Sequence, residues 1–215
     1  MSSLKPAQLN DPTAFVEVWA IDHRSVATAL RPHIWKGSPV SAAYIAANLA
    51  ALALVAVTWI RLDLSLFAGF QVVSLGMFSS YFALVPLHET IHAIAYRRMG
   101  ATTVRVDYRW RRLTAACTAD GFVASKREFA WVCLAPFLTL NPLLCVVAIL
   151  SRGSWRLAAA SALLLHVGAC SGDFALLNWL YRSGYTNLFT YDDSAAQRSY
   201  FFSPRKETSL REVGQ

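Results

Sequence analysis

Charge is scarce in this chain of 215 residues: only 15% are Asp, Glu, Lys or Arg, against about 25% in an ordinary soluble domain. With 55% hydrophobic residues and a mean hydropathy of +0.37, an ordinary soluble fold is excluded. Cysteine is sparse as well. The four, at 117, 133, 145 and 170, form no CxxC pair, which removes zinc-ribbon and thioredoxin-like readings. At least two of them lie in apolar stretches, where cysteine behaves as a small hydrophobe, so no disulfide framework is expected. Residues 1–40 carry charges throughout and lack the short apolar core and small-residue cleavage site of a secretory signal, so no removable leader is expected.

What is abundant is apolar sequence, gathered in uncharged stretches long enough, at about 20 residues, to cross a bilayer. The expected fold class is an all-α membrane protein with about four transmembrane helices and a small cytoplasmic β-hairpin. Residues 1–40 form a juxtamembrane segment, with Asp11-Pro12 opening an amphipathic helix through Val16, Trp19, Ile21, Val26 and Leu30. A transmembrane domain over 41–182 has spans at 41–60, 64–96, 129–150 and 155–181. The second exceeds one crossing, so it should project from the bilayer or bend at Pro86. The third is interrupted at Pro136 and at Asn141-Pro142. Between them, residues 97–128 are polar and basic. Val104, Val106, Tyr108 and Trp110 alternate there with Arg105, Asp107, Arg109 and Arg111, which is strand periodicity, and a second strand covers Leu113 to Thr118. Residues 183–215 read as a polar, irregular cytoplasmic tail.

The formal charge of +7 invites a nucleic-acid reading, but most basic residues flank apolar segments, and nucleic acid is not an expected partner. Seventeen of the 20 Lys and Arg residues fall in the N-terminal segment, the 97–128 loop and the tail, leaving Arg61, Arg152 and Arg156 in the other two connections. That asymmetry places both termini and the hairpin in the cytoplasm of a multi-pass protein of the cell membrane. The bilayer is thus one expected partner.

Acidic residues are missing from the four spans except at Glu89 and Asp173. Intramembrane carboxylates are costly unless they serve a site. Glu89 belongs to His88-Glu89-Thr90-Ile91-His92, an HExxH motif. On a helix, residues four apart share a face, so both imidazoles can bind one Zn2+ while Glu89 reaches its water. Zinc lowers that water's pKa to about 7, and the carboxylate serves as general base in hydrolysis of a polarised carbonyl. A catalytic zinc needs a third protein ligand. The fourth span offers His166 and Asp173. His88 and Asp173 each lie nine residues before an interfacial arginine, Arg97 or Arg182. On straight helices that is a shared depth of roughly 13 Å, with His166 about 10 Å deeper. Depth therefore selects Asp173, and leaves His166 as a bundle histidine or a group orienting another ligand, with ligation the lesser alternative.

These residues resemble the putative zincin peptidase family of small membrane proteins. The matching pieces are Leu87-His88-Glu89-Thr90-Ile91-His92, Leu134-Ala135-Pro136-Phe137 and His166-Val167-Gly168-Ala169-Cys170-Ser171-Gly172-Asp173, over roughly residues 80–185. More distantly the sequence is similar to the site-2 proteases, intramembrane metalloproteases with HExxH on one helix and an Asp ligand on a later one. The resemblance implies metal-ligand roles for His88, His92 and Asp173 and a general-base role for Glu89.

Asn141, beside Pro142, has two readings: an amide donor to a developing oxyanion, hence a catalytic group, or a partner for backbone freed at a helix break. The strand near Val104 to Trp110 could pair with an extended substrate, or grip anionic lipid through Arg105, Arg109, Arg111 and Arg112. The function expected is a membrane-embedded zinc metallopeptidase acting on membrane-associated or membrane-spanning peptides. The alternative is a non-hydrolytic metal-binding or ion-handling membrane protein.

Overall fold

Serine marks the start of each long helix. In the computed structural model, which describes residues 4–109 and 114–206, the chain opens with α1 (Pro6–Leu9), β1 (Phe15–Asp22) and α2 (Val26–Ile34). Ser38 then caps α3 (Pro39–Arg61), its Oγ accepting from the N–H groups of Val40 and Ser41 at 3.0 and 3.1 Å, with Pro39 in the first turn. Ser65 caps α4 (Leu66–Arg98) in the same way through Ala68. The hairpin β2 (Val104–Arg109) and β3 (Thr114–Ala119) follows, then β4 (Ala124–Ser125). Ser125 and Glu128 form a reciprocal capping box at the head of α5 (Lys126–Leu150). The chain closes with α6 (Ser154–Ala169), α7 (Ser171–Arg182), β5 (Phe189–Asp193) and β6 (Arg198–Pro204).

Among the described residues three helices, α3, α4 and α5, are long and apolar enough to cross a membrane, and the number rises to four if α6 and α7 count as one span bent by 41°. The expected fourth span is therefore two helices, broken at Cys170. α4 stays a single helix of 33 residues through Pro86, about 50 Å long. α5 also runs on through Pro136 and Pro142, so the interruption expected at Asn141-Pro142 is absent. Each proline withholds one N–H from the ladder without ending the helix. α4 and α6 meet where Gly76 lies against Ala158. A Cβ on that glycine would come within 2.9 Å of the Ala158 Cα, so only a bare α-carbon allows the approach.

At one end of the bundle sits an antiparallel sheet ordered β1-β6-β5-β4, with the β2-β3 hairpin beside it. The carboxylate of Asp192 joins the two, accepting from the Ala119 N–H at 2.9 Å and the Ser199 hydroxyl at 2.6 Å. Phe201 is fully buried, and with Ile21, Phe129, Leu177 and Leu180 it fastens the sheet to α5 and α7. Two expectations fail here. Residues 15–22 are a strand, not the start of an amphipathic helix, because β1 finds its partner in β6, from Phe15↔Pro204 to Asp22↔Arg198. Asp11 instead closes a turn, accepting from the Thr13 N–H and hydroxyl. The tail is likewise ordered over β5 and β6, since it supplies two of the four strands. The hairpin matches its expected place, but Trp110, Arg111, Arg112 and Leu113 lie outside the described residues.

Candidate metal centre

His88, Glu89 and His92 are buried on α4, most of whose other residues are exposed or half-buried. Asp173 reaches them from the first turn of α7, where the helix N-terminus favours negative charge. The Nε2 of His88 lies 3.0 Å from the Nε2 of His92 and 3.2 Å from Oδ2 of Asp173. The Nε2 of His92 lies 3.3 Å from Oδ1 of the same carboxylate. All three groups thus face one point.

The outer nitrogens explain what the inner ones carry. Nδ1 of His92 is 2.9 Å from the carbonyl oxygen of Val132, which can only accept, so Nδ1 holds the proton of the neutral ring and Nε2 a lone pair. That carbonyl is free for the task because Pro136, four residues on, has no N–H to occupy it. On the other ring, Nδ1 of His88 is 3.2 Å from Nε2 of His166, whose Nδ1 is 2.7 Å from Oδ1 of Asn141. When Nε2 of His88 also holds a lone pair, two imidazoles and a carboxylate packed at 3.0 to 3.3 Å repel unless a positive charge is shared among them. Four ligands placed 2.0–2.1 Å from a tetrahedral zinc are separated by about 3.3 Å, so the donor set and its spacing fit that ion. A second group, His88, His166 and Cys170, also brings its ligand atoms within 4.8 Å of one another.

Beside the histidines a cavity of about 540 Å³ runs between α4 and α6, lined by Tyr81, Leu84, Val85, Leu164, Leu165 and Gly168 and opening on His88 and Glu89. Ala115 of β3 completes its wall. The hairpin residue at the cavity thus comes from β3. The backbone N–H of Cys117, also on β3, faces the Glu89 carboxylate. Burial and that carboxylate push the Cys117 thiol up to about 12, which keeps it protonated and inert at neutral pH.

His166 is not about 10 Å from His88, as straight helices required, but in hydrogen-bonding reach of it. The depth estimate carried the α7 axis through Cys170, where the chain bends by 41°. Asn141 is buried, does not line the cavity and has its oxygen on His166. The Val132 carbonyl and the Cys117 backbone were not foreseen, although Pro136 was a visible signal for the first.

Residues 81–187, about half of the chain, match a family described as Putative zincin peptidase. The protein belongs to this family. No curated protein and no solved structure matches it. The zincin peptidase segment runs from Tyr81 in the cavity wall to Asn187 just before β5, and so contains every group described above. Membership implies a metallopeptidase using zinc, in keeping with a histidine-rich, metal-capable cluster on the HExxH helix.

Proposed function

We propose that this protein is a membrane-embedded zinc metallopeptidase, with His88, His92 and Asp173 as metal ligands and Glu89 as general base. The observation that carries the reading is the convergence of two Nε2 atoms and one carboxylate at 3.0 to 3.3 Å, with the His92 lone pair set inward by the Val132 carbonyl. The second metal-capable group is the weaker candidate, since it leaves both His92 and Glu89 without a task.

His88, His92 and Asp173 would hold the zinc, which would supply Lewis-acid polarisation of a peptide carbonyl and a water of lowered pKa. Glu89, buried at the cavity and next in sequence to a ligand, would accept a proton from the attacking water and return it to the departing amine.

Support for a bilayer comes from surface that water would not tolerate: Leu66 is 84% exposed, Ile60 76% and Phe70 64%. Trp35 and Trp155, 69% and 80% exposed, suit the two headgroup zones. With both termini and the hairpin on the cytoplasmic side, the apolar cavity runs from the metal toward the bilayer interior. It would receive a membrane-spanning or membrane-tethered peptide, in the manner of a site-2 protease. Glu89→Gln tests the reading: the purified variant should retain one zinc per chain and lose turnover of a candidate membrane peptide by a factor of at least 100. Unchanged turnover would sink the hydrolytic mechanism, and retained zinc with no turnover in wild type would favour metal handling instead.

A further inference from the structure

The chain Asn141–His166–His88 ends on the nitrogen opposite the one facing the metal point, and its polarity can be worked out link by link. If the Asn141 oxygen accepts from Nδ1–H of His166, then Nε2 of His166 has a lone pair and accepts from Nδ1–H of His88. Nε2 of His88 is then also a lone pair, directed at His92 and Asp173. Turning the amide over reverses every link. The asparagine nitrogen would donate to His166, His166 to Nδ1 of His88, and Nε2 of His88 would carry a hydrogen into the site and ligate nothing. One amide on α5, two hydrogen bonds away from the HExxH motif, thus sets whether His88 is a ligand.

The polar balance at Asn141 favours this role over packing. Its Nδ2 is buried with no hydrogen-bond partner among the described residues, at a cost on the order of 1–3 kcal/mol. A leucine of similar size would fill the same space free of that cost. The single atom the asparagine uses is the oxygen on His166.

The geometry points to Asn141 and His166 as positioning residues that fix the tautomer of His88 for metal binding, Asn141 from outside the cavity and His166 from its wall. This inference rests on the zinc reading above. It also replaces the oxyanion role for Asn141, which has no access to the cavity.

The test is zinc affinity of the full chain in detergent, measured by competition with a chromogenic chelator. Asn141→Leu and His166→Leu should each weaken zinc by about 10–100-fold. The double variant should be no worse than the weaker single one, because the amide acts through the imidazole. Asn141→Asp keeps an acceptor for His166 and should hold zinc within threefold of wild type, which guards against a leucine variant that folds poorly. Native affinity in a folded Asn141→Leu protein, additive losses in the double variant, or a loss in Asn141→Asp equal to that in Asn141→Leu would each overturn the inference alone. Failure of the wild-type chain to bind zinc would overturn the zinc reading together with it.

Discussion

Replacing Pro136 by alanine should strengthen the helix and weaken the metal site at once. Proline in a helix interior costs about 3 kcal/mol relative to alanine, so the zinc-free protein gains up to that amount when α5 recovers its missing hydrogen bond. The recovered N–H points at the Val132 carbonyl, which now holds Nδ1–H of His92 at 2.9 Å. Competition for that oxygen loosens the ring and its tautomer. Loss of such an outer hydrogen bond to a ligating histidine weakens metal binding about 10–100-fold, or roughly 1.4–2.7 kcal/mol. Two measurements on Pro136→Ala are needed: thermal unfolding of the zinc-free protein in detergent, and zinc competition against a chelator. The expected pair is a raised apparent Tm with a lowered affinity. A variant that is more stable and binds zinc as well as wild type would refute the link between Pro136 and His92. Parallel loss of both properties would mean only that the helix had been damaged.

Two further outcomes follow from the packing around the site. Gly76→Ala in a free helix would gain about 1 kcal/mol, but here the new Cβ meets the Ala158 Cα at 2.9 Å. Overpacking of that kind costs about 1–3 kcal/mol, so the apparent Tm should fall by several degrees, and a rise would show that α4 and α6 are free to separate. Cys117, its thiol pushed up to about 12 by burial and by Glu89, should alkylate at pH 8 about a thousandfold more slowly than an ordinary thiol. Its rate should climb as pH rises and the thiolate fraction grows. Labelling at the ordinary rate, followed by mass spectrometry of the β3 peptide, would place Cys117 outside the wall of the site.

The long helices were legible because each is a run of apolar residues bounded by its own caps: α3 occupies 39–61 where 41–60 was expected, and α5 occupies 126–150 where 129–150 was. The sheet was not, and the reason is range. β1 pairs with β6 across more than 170 residues, and neighbouring Val18 and Trp19 both pack on the core, so burial on two sides erases the alternation that announces a strand. The break at Cys170 has no proline to mark it; Gly168, Ala169, Ser171 and Gly172 are small residues that let the chain turn without demanding it. At the site, the HExxH spacing located the two histidines, but counting residues along straight helices separated Asp173 from His166 by depth, when both in fact touch His88. What distinguishes them is which ring nitrogen each one meets: Asp173 faces Nε2 and His166 faces Nδ1. A histidine that binds metal with one nitrogen must dispose of a proton on the other. In a protein interior the group that accepts that hydrogen, here the Val132 carbonyl or His166, is set by packing between helices and backed by residues such as Pro136 and Asn141 that no local motif connects to HExxH.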